Sequence, residues 1–209
     1  MKILAFDTTT RQGSVALAED DLLIAEEVEN FEITHTERLL PSIDRMLRKA
    51  GWQFSDVEGL AVSIGPGSFT GLRIGLAAAK AFALANQIPL VGVSSLLALA
   101  CNALPTEKPI VPILDAKRGE VYAAVYVLTE IASLTLAMTV PEQAIAPEKL
   151  EEILKQFPTA IRVEEGAENR IHSGTIAKLA LPRLKNGEGR EWAYLTPNYL
   201  RLSDAVLPK

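Results

Sequence analysis

The sequence predicts an α/β fold of two related lobes, each built from a mixed β-sheet and helices. One observation behind this prediction is that the same order of segments, three strands followed by a helix, a strand and a helix, occurs in each half of the chain. The other is that an aspartate, Asp7 or Asp115, closes the first strand of each half. Two such halves are expected to face each other across a cleft.

The elements of the first half follow from the spacing of its apolar residues. Continuous or alternating apolar runs predict strands, and apolar residues that recur every three or four positions predict helices. Pro41 lies inside the first helical pattern and, because proline has no backbone N–H, it either kinks that helix or marks its start. The strands are expected at 3–8, 14–18, 22–28, 60–64 and 89–93, and the helices at 36–50, 72–86 and 94–103.

The second half repeats this order, and the lobes are expected to comprise residues 1–105 and 106–209. No G-x-G-x-x-G follows the first strand, and strands that pair locally before helices cross over exclude a plain Rossmann order. The arrangement is typical of the actin, sugar-kinase and Hsp70-ATPase class of fold. In this half the strands are expected at 110–114, 120–128, 134–140 and 160–163, and the helices at 147–156 and 175–181.

The composition excludes several classes of protein. The 209 residues are 48% hydrophobic, which is enough for a core and excludes a disordered chain. Proteins that bind nucleic acid without a partner usually carry a positive patch or net charge, whereas the net charge here is −5. Any role on RNA would therefore be shared with a partner. Cys101 is the only cysteine, which excludes an internal disulfide. Because we find no signal peptide and no apolar run long enough for a membrane span, we expect a cytoplasmic protein without membrane contact.

A glycine-rich turn at 65–71 leads into the helix 72–86, and three interpretations of it remain open. It is a structural corner in which Ser68 or Thr70 caps the helix, a surface for a partner, or a phosphate site at the helix N-terminus. No Lys-Ser/Thr pair follows, as a P-loop would require. The helix itself is apolar on nearly all sides, so it is either buried within its own lobe or, with the helix 36–50, forms half of an intermolecular four-helix bundle.

Two strand ends and the glycine turn supply the candidate phosphate contacts. In actin-like ATPases an acidic residue followed by hydroxyl groups at a strand end holds Mg²⁺ and phosphate, but here both turns lack the glycines that let a backbone approach phosphate closely. The alternative is that Asp7 caps a hairpin and that Asp115 begins a tight hairpin. The candidate nucleotide or phosphate contacts are Asp7, Thr8, Gly67, Ser68 and Asp115.

Catalysis by the chain alone has little support in the sequence. His35 and His172 are the only histidines, and neither has a second histidine or cysteine at metal-ligand spacing. Neither a G-x-S-x-G elbow nor a cysteine–histidine motif is present. We therefore predict no catalytic residue and no metal site.

Four sequence motifs occur in a fixed order along the chain. They are HTERLLP at 35–41, GPGSFTGLRIG at 65–75, GVSSL at 92–96 and DAKRGEVY at 115–122. Together they resemble the bacterial TsaB (YeaZ-type) proteins, over residues 1–126 and again at 197–201, whereas 142–192 carries no motif of that family.

The resemblance implies a subunit required to make threonylcarbamoyladenosine in tRNA, on the adenosine beside the anticodon of tRNAs that read codons starting with A. It implies a non-catalytic partner of a homologous catalytic subunit, TsaD, with a small ATPase, TsaE, joining the complex, and a homodimer when the chain is alone. It implies no cofactor of its own, ATP or ADP at the interface of the complex, and contact with tRNA only through the complex.

The resemblance also implies which residues matter. The catalytic homologue carries a His-x-x-x-His metal pair on the helix after the strand 89–93, and Ser95 and Leu99 stand in those places here. This agrees with a non-catalytic relative. The alternative is a free-standing actin-fold enzyme, either an ATP-dependent phosphotransferase or a peptidase. The residues expected to bind the partner are His35, Arg38, Leu39, Ile43, Met46, Gly71, Arg73, Gly75, Ala78 and Phe82.

Overall fold

The first sheet has five strands in the order β3-β2-β1-β4-β5. A computed structural model describes residues 1–30, 35–130, 135–166 and 168–201, without the side chains of 29–30 and 35–37. The first three strands form an antiparallel meander, and β4 and β5 continue the sheet parallel to β1. The strands are β1 (Lys2–Asp7), β2 (Gln12–Glu19), β3 (Leu22–Asn30), β4 (Gly59–Gly65) and β5 (Leu90–Ser94).

The second sheet repeats this plan with four strands in the order β8-β7-β6-β9. Its first three strands again pair antiparallel, and β9 lies parallel to β6. The predicted class of fold, two mixed sheets with helices in an actin-like ATPase arrangement, is therefore confirmed. The strands are β6 (Ile110–Lys117), β7 (Glu120–Glu130), β8 (Thr135–Ile145) and β9 (Ile161–Glu164).

The described residues form five α-helices, which make layers with the two sheets. The helices α1 and α2 pack on the outer face of the first sheet, α3 and α5 lie between the sheets, and α4 covers the outer face of the second. No helix among the described residues is long and apolar enough to cross a membrane. The helices are α1 (His35–Ala50), α2 (Phe69–Asn86), α3 (Ser95–Ala100), α4 (Pro147–Gln156) and α5 (Ser173–Lys185), with short 3-10 helices at Phe54–Asp56, Cys101–Ala103 and Trp192–Tyr194.

The chain after α4 returns to the first sheet. Helix α5 packs against β1, β2, β4 and β5, and the Leu90 N–H donates a hydrogen bond to the Gly189 carbonyl at 3.0 Å. Further along, the Asn198 N–H donates to the Ile64 carbonyl at 2.7 Å. The division into lobes 1–105 and 106–209 stays a prediction. The segment from α5 to Asn198, which follows residue 106, packs on the first sheet.

Some of the expected boundaries differ from the observed ones. Helix α2 begins at Phe69 rather than at 72, because Ser68 caps it and the glycine turn is shorter than expected. Pro41 lies inside α1 and does not mark its start, so that alternative is wrong. Pro41 is exposed there. The first residue of the strand expected at 134–140 lies outside the described residues, and β8 continues to Ile145.

Candidate functional site

A cleft of about 1040 Å³ separates the carboxyl ends of β1 and β6. Its walls come from the β1–β2 turn, the start of α2, the β6–β7 turn and the C-terminal segment 198–201. Three of the predicted phosphate contacts, Gly67, Ser68 and Asp115, line it. As predicted, the ends of the two strands face each other across a cleft. Asp115 at the end of β6 lines it directly, whereas the residues that line it after β1 are Thr9 and Thr10.

The glycine turn is shaped by close contact with the loop after β1. The Ser68 N–H donates to the Thr9 carbonyl at 2.7 Å, and the Thr8 hydroxyl donates to the Gly71 carbonyl at 2.7 Å. A Cβ at Gly67 would lie 2.5 Å from the Thr9 carbonyl oxygen, so only glycine permits this approach. The glycine turn thus serves as a structural corner, and one N–H that could hold a phosphate is already engaged.

The hydroxyl of Ser68 caps α2 as predicted. It accepts a hydrogen bond from the Gly71 N–H at 3.3 Å. A second donor of the helix N-terminus is therefore engaged within the chain.

Asp7 is fully buried and does not line the cleft. Its Oδ1 accepts hydrogen bonds from the Thr9 N–H at 3.1 Å, from the Thr9 hydroxyl at 2.7 Å and from the Ser63 hydroxyl. Burial raises the pKa of Asp7 to about 6, against the hydrogen bonds of Ser63 and Thr9, which lower it. Its bonds to Thr9 are those of a residue that caps the β1–β2 turn, which was the alternative interpretation.

Asp7 and Thr8 are buried and do not line the cleft, and their contact with a nucleotide stays a prediction. Of the three residues Asp7, Thr8 and Thr9, only Thr9 lines the cleft, and the Thr8 hydroxyl donates its hydrogen bond to the Gly71 carbonyl. Asp115, by contrast, is exposed, and it accepts hydrogen bonds from the Lys117 N–H at 2.7 Å and from Lys117 Nζ at 2.5 Å. These bonds hold the pKa of Asp115 below its usual value.

Half of the residues expected to bind a partner are buried in this chain. Leu39, Ile43 and Met46 face the first sheet from α1 and are almost fully buried. Gly71 and Gly75 face the same sheet from α2. A Cβ at Gly75 would overlap the Thr8 hydroxyl. The apolar stripe chosen from the sequence is thus the side that faces this chain's own core, and partner contact through these five residues stays a prediction.

The opposite side of the two helices is exposed. Among the expected residues Arg38 and Arg73 lie on it, Ala78 and Phe82 are half-buried, and the side chain of His35 lies outside the described residues. Phe82 stacks on Phe54 with ring centres 4.7 Å apart. We call the exposed surface of the two helices the helical face; its residues are Arg38, Leu40, Arg73, Ala77, Ala81 and Leu84.

The sequence did not distinguish four of these residues, Leu40, Ala77, Ala81 and Leu84. A helix that is apolar on all sides has no polar side to mark its orientation, so the sheet-facing stripe cannot be separated from the exposed one by periodicity. Leu40 and Leu84 are 51% and 58% exposed.

The positions that correspond to the metal pair of the catalytic homologue lie inside the protein. Ser95 is fully buried and donates a hydrogen bond to the Thr9 hydroxyl at 3.2 Å. Leu99 is fully buried in the core between the two sheets. In the part of the chain that the structure describes, no three His, Cys, Asp or Glu residues lie together as metal ligands would.

Glu142, in the region without a family motif, organises the C-terminal side of the cleft. Its carboxylate accepts hydrogen bonds from the Ser94 hydroxyl, from the Tyr126 hydroxyl at 2.7 Å and from the Asn198 amide at 2.6 Å. Burial and the neighbouring Glu142 raise the pKa of Tyr126. Asn198 is thereby fixed beside β4, so the residue that follows it, Tyr199, is held at the cleft.

Comparison with known proteins identifies the family. The family model of TsaD, tRNA N6-adenosine threonylcarbamoyltransferase, matches residues 29–196. A relative from Bacillus subtilis (strain 168) named "tRNA threonylcarbamoyladenosine biosynthesis protein TsaB" is 31% identical over 98% of this chain and 96% of its own length. The relative of that name from Escherichia coli (strain K12) is 40% identical over 60% of this chain and 55% of its own length.

A solved structure agrees with the sequence relatives. YeaZ from Pseudomonas aeruginosa superimposes with a TM-score of 0.80 at 28% identity, covering 95% of this chain and 99% of its own. The match extends over both sheets, including the region 142–192 that carries no recognised motif. The chain belongs to the TsaB (YeaZ-type) family of tRNA threonylcarbamoyladenosine biosynthesis proteins.

Proposed function

We propose that this chain is the non-catalytic subunit that binds and activates a TsaD-type threonylcarbamoyltransferase during threonylcarbamoyladenosine synthesis in tRNA. The names of the relatives support the pathway, and the family model that matches most of the chain is that of the transferase itself. The observation that supports the proposal is the helical face, where Leu40 of α1 and Ala77, Ala81 and Leu84 of α2 are exposed. A partner with the same fold would present equivalent helices.

The geometry of α2 suits helix packing. Ala77 and Ala81 are four residues apart, so they lie one above the other on the exposed side, with Leu84 less than one turn further on. Small residues in such a row let the backbone of a second helix approach closely, and the neighbouring leucine fills a groove on it. Leu40 extends the apolar surface onto α1. Two such helix pairs form a four-helix bundle.

We propose that this chain does not catalyse the transfer itself, because the residues at the metal positions are unsuited to it. The side chains at the metal positions, Ser95 and Leu99, are buried and are poor ligands or none. We propose that the transferase supplies the metal and the reacting groups. We propose further that a TsaE-type ATPase joins the two, that the chain pairs with itself when the transferase is absent, and that the substrates are tRNAs reading codons that start with A.

The residues of the cleft fit a backbone-held phosphate poorly. The N–H groups of Ser68 and Gly71 are engaged by Thr9 and by the cap, and Asp7 is buried behind them. We therefore propose that the chain holds no nucleotide of its own and that ATP or ADP is bound at the interface of the complex.

Coexpression with the TsaD-type subunit of the same organism tests this function. The unmodified chain is expected to co-elute with the transferase, and Ala81→Arg and Leu84→Arg are expected to abolish co-elution and lower threonylcarbamoyladenosine in cellular tRNA. Met138→Arg is the matched control, because Met138 is 54% exposed on β8, away from the helical face. The proposal fails if the unmodified chain never co-elutes, or if Ala81→Arg leaves the modified tRNA unchanged.

The second candidate is a free-standing actin-fold enzyme, an ATP-dependent phosphotransferase or a peptidase. The cleft favours it, because a volume of about 1040 Å³ is large enough for a nucleotide. Calorimetry with Mg-ATP and a turnover assay on the chain alone decide between the two. Tight binding together with turnover would support this candidate and remove the first.

A further inference from the structure

We propose that the cleft binds a single-stranded segment of the tRNA through a basic-aromatic patch, so that this subunit contacts the RNA directly. The patch consists of Arg11, Phe69, Arg73, Lys117, Arg118 and Tyr199. The choice of RNA among polyanions rests on the proposed function, whereas the patch itself rests on the geometry below.

Positive charge is concentrated in the cleft. The described residues that line the cleft include five arginines and lysines but only two acidic residues, in a chain whose net charge is −5. A concave surface concentrates the field of such a group of charges, and polyanions bind to it through their phosphates. The acidic remainder of the chain explains why the sequence as a whole lacks the charge of an independent RNA-binding protein.

An aromatic platform lies beside these charges. The rings of Phe69 and Tyr199 lie 5.2 Å apart, and the guanidinium of Arg73 lies 3.8 Å from the Phe69 ring centre. Tyr199 is 40% exposed at the cleft. Unpaired bases of RNA stack on exposed aromatic rings and on guanidinium planes.

Arg73 also keeps its positive charge available. Its partners among the described residues are the Phe69 ring and the Tyr199 hydroxyl, which it reaches at 3.3 Å, and neither is an anion. A phosphate next to the stacked base would therefore meet a cation that is already oriented. Base and phosphate recognition lie side by side at this point.

The backbone of the β6–β7 turn is unusual for the residues that it carries. Lys117 and Arg118 both have a positive φ, of 63° and 56°, and are followed by Gly119. Residues with a Cβ are disfavoured in that conformation, and asparagine or glycine is the usual choice in such a turn. Two long basic side chains on a turn that disfavours them indicate a role for the side chains themselves. Asp115 fixes Lys117 at the rim of the cleft.

A free nucleotide is a weaker candidate for this patch. A triphosphate relies on backbone N–H groups at a glycine turn, and those of Ser68 and Gly71 are engaged. Stacking on Tyr199 and salt contacts with side chains suit an extended chain with repeated phosphates.

Fluorescence anisotropy with a 5′-fluorescein-labelled 12-nucleotide RNA of mixed, unstructured sequence tests the inference on the full chain. Arg118→Asn suits the turn and removes one cation; it is expected to weaken binding and to reduce the slope of log affinity against log salt by about 0.7, the loss of one phosphate contact. Tyr199→Ala is expected to weaken binding about fivefold or more, whereas Tyr199→Phe keeps the ring and the affinity. Lys149→Gln, on an exposed cation of α4, removes the same charge elsewhere and should change neither quantity.

Three results would overturn the inference. The first is no detectable binding in low salt, and the second is an equal loss of affinity with Lys149→Gln. The third is displacement of the labelled RNA by ATP at a phosphate concentration at which unlabelled RNA does not displace it. Co-elution of Arg118→Asn with the transferase is measured in parallel and should be unchanged. If the unmodified chain fails to co-elute while it still binds RNA, the proposed function fails and the RNA site stands. If it co-elutes and does not bind RNA, the reverse holds.

Discussion

The hydroxyl of Thr8 donates a hydrogen bond to the Gly71 carbonyl at 2.7 Å, which joins the end of the first strand to the first turn of α2. One turn further along the helix, Gly75 lies directly against the same hydroxyl group. The position of α2 on the sheet therefore depends on a threonine and on the lack of a side chain opposite it.

We expect Gly75→Ala to destabilise the protein. The added Cβ would overlap the Thr8 hydroxyl, and overpacking of this kind typically costs about 1–3 kcal/mol. Urea denaturation measures the loss. Gly166→Ala is the control, since nothing lies near its Cβ position. Adding Thr8→Ala to Gly75→Ala should restore part of the stability, and a double variant no more stable than the single one would contradict this account.

The buried carboxyl of Asp7 should make stability depend on pH. Its pKa is raised from 3.8 to about 6 in the folded protein, so the native state retains a proton that the unfolded state releases. Stability is therefore expected to fall as the pH rises from about 4 to 6, by about 3 kcal/mol at 1.36 kcal/mol per pKa unit. In Asp7→Asn this fall should be missing. Denaturation of both proteins at pH 4.5 and pH 7 compares them; equal pH dependence would contradict the assignment.

His172 should show a pH dependence of the same sign, in a higher pH range. Its Nδ1 lies 2.9 Å from Glu26 Oε2, and this hydrogen bond raises the pKa of His172 above 6.5. A raised histidine pKa contributes stability that is present below pH 6.5 and is lost as the pH rises through the folded value. NMR titration of the ring, assigned with His35→Gln, should give a value above 6.5 that drops in Glu26→Gln. An unchanged value in Glu26→Gln would exclude the pair as its cause.

Glu142→Gln should loosen the C-terminal side of the cleft. The amide nitrogen of glutamine would face the Asn198 amide, so a donor loses its acceptor, at a cost of about 1–3 kcal/mol. Hydrogen exchange is expected to increase at 197–201, and the melting temperature is expected to fall. Glu107→Gln, on an exposed loop, controls for the lost charge. Unchanged exchange at 197–201 would show that Glu142 does not hold this segment.

The sequence predicts those features of the fold that depend on a pattern of neighbouring residues, such as a helix, a strand or a helix cap. The helix expected at 147–156 is α4 itself, because a proline starts it and its apolar residues occupy a single face. The meanders and the repeated order of elements follow in the same way from alternating apolar segments. The cap at Ser68 could be identified because a hydroxyl before a helix has a specific partner, the N–H of Gly71.

The features that could not be predicted depend on contacts distant in sequence. Nothing in the apolar spacing of α5 indicates that it packs on β1 rather than on the nearer second sheet. Gly75 and Ala81 are both small, yet Gly75 lies buried against Thr8 and Ala81 is exposed. Glu142 stands in a strand of mixed polarity, and its role needs Asn198 from 56 residues away. Packing of distant segments, rather than local preference, decided each case.

The return of α5 has a consequence for fragments of the chain. Expressed alone, residues 1–105 would leave the inner face of the first sheet, with Ile3, Ala5 and Val91, in water, because α5 and the second sheet are what cover it. Such a fragment is expected to aggregate, and adding residues 173–201 without the second sheet should not rescue it. A soluble, cooperatively unfolding 1–105 would show that the first lobe folds independently. If it does aggregate, the order of synthesis matters: the inner face of the first sheet stays uncovered until α5 has left the ribosome.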